Sequence, residues 1–190
     1  MWYHMLTGRK GAGENRLPRA EKKARRGLIM SQKTFSTLLK LIIIGAALCI
    51  AFVYAVMIPE LGLPLAEAGD GEFEYLYTPW LVAIEITALP ILAALVLAWL
   101  IAVNIGRDKS FCMQNAKLLA IIAILAIADA AYFFTAVIVL ALVYKVIHPG
   151  VLIFTLMVCF AGVGVAVAAA ALSHYARKGA ELQEQSDLTI

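Results

Sequence analysis

The chain has 190 residues, of which 63% are hydrophobic and 15% are charged, and its formal net charge is +3. Its mean hydropathy of +0.86 excludes an ordinary water-soluble domain. We therefore expect one membrane domain with a basic amino-terminal arm and a short carboxy-terminal tail.

The amino-terminal residues 1–29 are polar and rich in Gly, Lys and Arg. This composition predicts a disordered basic arm. Met30 leads almost directly into the first apolar segment, so we hypothesise that translation begins at Met30. The alternative is an arm that binds anionic lipid or nucleic acid. Because no aromatic residues interleave with its basic cluster, we expect no direct nucleic-acid partner.

Four apolar segments follow, and each is long enough to cross a bilayer as a helix, since about 20 residues at ~1.5 Å each span the hydrocarbon core. The pattern predicts an all-α fold, an integral membrane four-helix bundle in contact with the lipid bilayer. The membrane domain covers residues 30–176, and the tail covers 177–190. The predicted spans are about 38–58, 80–105, 117–144 and 150–173.

The charges between the spans predict the orientation. Ten of the sixteen Lys and Arg residues precede the first span, while residues 59–79 carry five acidic residues and no basic one. Lys and Arg are retained on the cytoplasmic side during insertion. We expect a multi-pass protein of the cytoplasmic (inner) membrane with both termini cytoplasmic. Lys145, in the short turn before the fourth span, is the exception.

Two carboxylates interrupt the second and third spans. Glu85 and Asp129 lie at similar predicted depth, and placing either in hydrocarbon costs ~2.5–3.5 kcal/mol. If the two spans pack as a hairpin, the carboxyls form an acidic pair that shares a proton. Pro90 lies close by in the second span, and Tyr132 is one turn from Asp129. Hydroxyls near the pair belong to Thr87, Tyr132 and Thr135.

The role of this acidic pair has two readings. It is a proton or cation site, or it is a pair of protonated carboxyls that holds the helices together. Tyr54 lies near the end of the first span, where a tyrosine is typical of an interface anchor.

The fourth span is built almost entirely from small residues and valine. Small residues four apart let helix backbones approach closely, so these positions predict helix packing. The face packs within the bundle or, alternatively, between copies in a homo-oligomer. The packing residues are Gly162, Gly164, Ala166 and Ala168.

Residue types that carry catalysis are sparse in this chain. We identify no catalytic residue, no cofactor site and no metal site, because no nucleophile–base set, His/Cys cluster or phosphate-binding glycine loop is present. We therefore expect that the protein is not an enzyme.

Two cytoplasmic segments carry specific patterns. The first opens the third span with Phe111, Asn115, Lys117 and Leu118. The second is an acidic tail, and its matching positions are Glu181, Leu182, Gln183, Glu184, Asp187, Leu188, Thr189 and Ile190. With these two patterns, residues from about 30 to 190 resemble the four-span bacterial and archaeal family filed as domain-of-unknown-function family 2975. Ser110-Phe111-Cys112 departs from the Pro-Phe-Ser expected for that family.

The resemblance implies no enzyme activity. It implies as a partner a small Cro-like helix-turn-helix regulator encoded by a neighbouring gene. We therefore predict a regulatory or interaction protein whose tail docks such a partner. The alternative is a small proton- or cation-coupled transporter that uses Glu85 and Asp129.

Overall fold

The computed structural model describes residues 19–67, 74–107, 112–145 and 149–188, and these residues are helical apart from the short links. The first helix changes to π-helical geometry for one turn and then continues, so it is described in three parts. The elements are α1 (Arg19–Phe52), the π turn (Val53–Met57), α2 (Ile58–Glu67), α3 (Glu74–Gly106), α4 (Met113–Tyr144) and α5 (Pro149–Leu188).

The prediction of an all-helical chain with four long apolar helices is confirmed for the described residues. Four helices are long and apolar enough to cross a membrane. The first of them joins α1, the π turn and α2 into one rod. Their ranges are Thr34–Pro64, Glu74–Gly106, Met113–Tyr144 and Pro149–Gln185.

The amino-terminal arm differs from the prediction of disorder. Because α1 begins at Arg19, residues 19–29 are helical, and residues 1–18 lie outside the described residues. The reason is physical. Residues 19–26 are Ala, Glu, Lys and Arg, which are strong helix formers. They continue directly into an apolar helix, so they add turns to an existing nucleus without the cost of starting one.

The helices pack in a row that follows the chain. Helix α1 packs on α3, α3 on α4 and α4 on α5, and the α4–α5 interface is the most extensive. In the described part of the chain, α1 and α5 are not packed against each other. Three interfaces therefore hold the bundle together, and the side between α1 and α5 is left without one.

Hydrogen bonds between helices join all four helices at one end of the bundle. We call this group the polar clamp. Ser36 Oγ donates to the Ala102 carbonyl at 2.8 Å, and Asn104 Nδ2 donates to Asn115 Oδ1 at 2.8 Å. Ser173 Oγ on α5 donates to the Ala116 carbonyl at 2.7 Å. Each of these bonds crosses a helix–helix interface, so the clamp fixes the relative positions of α1, α3, α4 and α5.

Close packing accompanies the clamp. Ala102 and Ala116 are 0% and 1% exposed, and Asn115 is 2% exposed. A Cβ on Gly106 would lie 2.6 Å from Ser36 Oγ, so a larger residue at position 106 would displace the Ser36 hydroxyl. The signature residue Asn115 therefore lies at the centre of the tightest part of the bundle.

The small residues of α5 fall on two faces. Gly162 and Ala166 pack inward: a Cβ on Gly162 would lie 3.2 Å from Ala130 Cβ, and Ala166 is 2% exposed. Gly164 and Ala168 are exposed, and a Cβ on Gly164 would meet nothing within 4 Å. The Gly162/Ala166 pair thus contributes to the α4–α5 interface, whereas the Gly164/Ala168 pair lies on the outer surface of this chain.

Candidate functional site

A cavity of about 590 Å³ lies between the helices, away from the polar clamp. We call it the central cavity. It is lined by residues from all four spans, among them Tyr54, Thr87, Asp129, Phe133 and Phe154. Most of the lining is apolar, so the few polar side chains in it decide what the cavity binds.

The Asp129 carboxyl is the ionisable acid in the wall of this cavity. It lies at the middle of α4, sixteen residues from the start of the helix at Met113. Its Oδ1 atom is shielded from solvent and has no hydrogen-bond partner in the described residues. A buried polar atom without a partner costs free energy, so an unsatisfied oxygen at a cavity wall is unusual in a native protein.

Tyr54 and Thr87 provide the other polar groups of the wall. Their hydroxyl oxygens are 2.6 Å apart, and Thr87 Oγ1 donates to the Ile84 carbonyl at 2.7 Å. A threonine hydroxyl has one proton. Because Thr87 uses that proton on Ile84, Tyr54 must donate to Thr87. The Tyr54 hydroxyl is thus held across the α1–α3 interface with its proton already committed.

The π turn brings Tyr54 to this position. Residues Val53–Met57 adopt π-helical geometry, and the N–H of Ile58 bonds the Val53 carbonyl five residues earlier. Single π turns inside α-helices are rare and are frequent at functional sites. Helix α3 contains Pro90 in the cavity wall, which lacks an N–H. Both helices therefore depart from regular α-helical hydrogen bonding beside the cavity.

Glu85 and Tyr132 are placed differently from Asp129. Neither lines the central cavity, although both Glu85 and Asp129 lie within electrostatic range of the Tyr54 hydroxyl. No hydrogen bond joins Asp129 Oδ1 to Glu85. The structure thus brings Asp129 together with Tyr54 and Thr87 in one cavity, and the shared proton between Glu85 and Asp129 stays a prediction.

The side of the cavity between α1 and α5 is the more exposed one. The cavity residues Val53 in the π turn and Phe154 and Val165 on α5 are 39%, 62% and 56% exposed. Thr87 on α3 is buried, and Asp129 on α4 is only partly exposed. The exposed wall coincides with the side that lacks a helix–helix interface, so the cavity opens there.

The tail residues lie far from this cavity, at the carboxy-terminal end of α5. Helix α5 extends to Leu188, and Glu181, Leu182 and Glu184 are exposed. Asp187 and Leu188 belong to the same helix, while Thr189 and Ile190 lie outside the described residues. Sequence reasoning left the tail without a structure, and its helical state follows from continuity with the span.

Several polar residues had no role assigned from the sequence. Ser36, Asn104 and Ser173 form the clamp, and no local pattern distinguishes them from other polar residues at span ends. The bond of the Tyr54 hydroxyl to Thr87 beside the cavity was not expected from the sequence, and its role as an interface anchor stays a prediction. The π turn that places it has no signal in the sequence.

We find no candidate metal site among the described residues. They contain no group of three or more His, Cys, Asp or Glu side chains placed to hold a metal ion. The described cysteines Cys49, Cys112 and Cys159 are free thiols.

A family model described as "Protein of unknown function (DUF2975)" matches residues 65–190, which include α3, α4 and α5. No curated protein matches the chain. No solved structure matches it either.

Proposed function

This chain belongs to the DUF2975 family of proteins of unknown function, and we propose that it is an integral membrane protein that docks a cytoplasmic partner through the end of α5. The proposal includes a four-helix bundle in the inner membrane with both termini in the cytoplasm. The charge distribution supports this orientation, since Lys and Arg are concentrated before the first span and the segment 59–79 is acidic. In this orientation the polar clamp lies at the cytoplasmic end of the bundle.

The observation that carries the docking proposal is the continuity of α5. One helix runs from the wall of the central cavity through Ser173 in the clamp and onward to Leu188. Its last part, from Arg177 to Leu188, is about 16 Å long at the helical rise. The exposed tail is thus a helical arm attached to the bundle at Ser173.

Beyond the basic residues Arg177 and Lys178, the exposed surface of this arm fits a basic partner. Glu181 and Glu184 carry negative charge, and Leu182 is 67% exposed, which provides an apolar contact beside them. Small helix-turn-helix regulators have a basic surface that contacts DNA phosphates. We infer that the tail holds a Cro-like regulator at the membrane by covering part of this surface. A protein of this kind acts by binding, not by catalysis, and needs no cofactor.

The test uses the full-length protein in nanodiscs and the purified regulator encoded beside its gene. We expect binding that deletion of residues 181–190 abolishes and that the double change Glu181→Lys with Glu184→Lys weakens about tenfold or more, because both changes remove the charge complementarity. Gln183→Ala is the matched control, since Gln183 is also exposed on the arm but carries no charge. Equal binding before and after the deletion would reject docking by the tail.

A second candidate function is favoured by the unpartnered carboxyl of Asp129. A small proton- or cation-coupled transporter needs an ionisable group inside the membrane, and Asp129 and Glu85 are such groups. Proton or cation flux in proteoliposomes that Asp129→Asn abolishes supports this candidate. A parent protein without flux dismisses it.

A further inference from the structure

The proposed docking by the tail does not involve the central cavity, whose size and lining indicate a ligand site. Its volume of about 590 Å³ lies within the range of small-molecule sites, and most of its lining is apolar. An occupant must therefore present mostly apolar surface to these walls. A metal ion or a sugar does not meet this requirement.

The charge of the wall restricts the occupant further. Asp129 is an acid, and the described lining residues include no Lys, Arg or His that would balance it. Its unpartnered Oδ1 atom is an acceptor whether the carboxyl is ionised or not. The missing partner is thus a hydrogen-bond donor, and a cationic donor gains the most at this position.

The hydroxyls and rings of the wall favour the same occupant. Because the Tyr54 proton is committed to Thr87, the Tyr54 oxygen has only acceptor capacity left toward the cavity. Tyr54, Phe133 and Phe154 also bring aromatic rings to the lining, and aromatic faces attract cations. The wall therefore offers acceptors and π faces, and these complement an ammonium group.

The route into the cavity follows from its open side. The exposed cavity residue Val53 lies in the π turn that continues α1, and Phe154 and Val165 lie on α5. Neither α1 nor the π turn packs extensively against α5. If the four helices span the bilayer, this side faces the lipid acyl chains. A molecule that partitions into the membrane reaches the cavity sideways without passing the polar clamp.

We propose that the central cavity binds an amphiphilic monocation, a molecule with an apolar body and a single ammonium group, that arrives from the lipid between α1 and α5. The ammonium group pairs with the Asp129 carboxyl, and the apolar body packs against the apolar lining, which includes Phe133 and Phe154. This ligand site is independent of the tail, so loss of the docking function leaves it in place.

Equilibrium binding of 1-adamantylamine to the full-length protein in phosphatidylcholine nanodiscs tests the proposal. This probe is a rigid apolar cage with one ammonium group, and 1-adamantanol is a neutral competitor of nearly the same shape. We expect saturable binding that Asp129→Asn weakens about tenfold or more, since a charge-assisted hydrogen bond is lost. In competition against labelled 1-adamantylamine, we expect 1-adamantanol to need a concentration at least about tenfold higher than that of unlabelled 1-adamantylamine for the same displacement.

Two further variants test whether binding depends on the cavity itself and not on the loss of any carboxyl. Glu74→Gln removes an exposed carboxyl at the start of α3, which does not line the cavity, and leaves binding unchanged. Ala94→Phe places a ring into the cavity from α3 and abolishes binding while Asp129 is retained. Three results would overturn the proposal: no saturable binding by the parent protein, equal affinity of Asp129→Asn and parent, or equal competition by 1-adamantanol. Equal competition would identify an apolar cavity that takes lipid-like molecules regardless of charge.

Discussion

At the scale of single residues, Asn115 shows how a signature position is explained by packing. Its Oδ1 atom accepts from Asn104 Nδ2 at 2.8 Å, and its side chain is 2% exposed. Asn115→Leu leaves the partly buried Asn104 amide without this acceptor. We expect the free energy of unfolding in detergent to fall by about 0.6–2 kcal/mol, the range of hydrogen bonds between membrane helices. Thermal or denaturant unfolding followed by circular dichroism measures the change.

The neighbouring Gln114 offers a matched control for this measurement. It precedes Asn115 on the same turn of α4 but is exposed. Gln114→Leu should therefore leave stability nearly unchanged. Equal losses for the two variants would show that polarity at the start of α4, and not the hydrogen bond to Asn104, is what matters.

At the scale of helices, the two small-residue pairs of α5 predict that a glycine-to-leucine change lowers stability in one pair and leaves it unchanged in the other. Gly162→Leu forces a side chain against Ala130, which already lies 3.2 Å from the position of a Cβ. Overpacking of this kind costs ~1–3 kcal/mol. Gly164→Leu meets no neighbour within 4 Å of its Cβ and should leave the stability of the single chain unchanged.

The same pair of variants separates packing within the chain from packing between copies. We measure unfolding together with the mass of the detergent-solubilised particle by light scattering. If copies associate through the Gly164/Ala168 face, Gly164→Leu lowers the particle mass while stability of the chain is retained. A larger loss of chain stability for Gly164→Leu than for Gly162→Leu would contradict the placement of the two faces.

The number of helices and their approximate limits could be predicted from the sequence, but their rotation could not. The sequence alone reveals the hydropathy of the spans, the carboxyl of Asp129 and the small residues of α5. Which side of a span faces its neighbours is hidden, because these spans are apolar on every side and lipid does not distinguish the faces. For this reason the sequence does not reveal that Thr87 lies in the cavity wall and Glu85 does not. It also does not reveal that Gly164 faces outward. The π turn at Tyr54 depends on contacts between distant residues and has no local signal.

At the scale of the whole molecule, the bundle combines a clamp at one end with a cavity that opens sideways. Binding from the lipid requires no movement of the clamp. Transport across the membrane requires the cavity to reach both faces in turn. In the proposed orientation, a path to the cytoplasmic face passes between the helices that the clamp joins. A covalent lock on the clamp therefore separates the two kinds of function.

A disulfide between positions 36 and 106 provides such a lock. A Cβ on Gly106 would lie 3.3 Å from Ser36 Cβ, close to the lower end of the separation found in disulfides, which is about 3.5–4.5 Å. The variant Ser36→Cys with Gly106→Cys is made in a chain that also carries Cys49→Ala, Cys112→Ala and Cys159→Ala, so that only the new pair can oxidise. We expect the oxidised protein to bind 1-adamantylamine with the same affinity as the reduced protein, because the open side between α1 and α5 is untouched. Any proton or cation flux of the reduced protein should disappear on oxidation and return with dithiothreitol, since the cytoplasmic path is closed and reopened. Loss of 1-adamantylamine binding on oxidation would contradict lateral access, whereas flux that persists through the locked clamp would contradict a transport path at that end of the bundle.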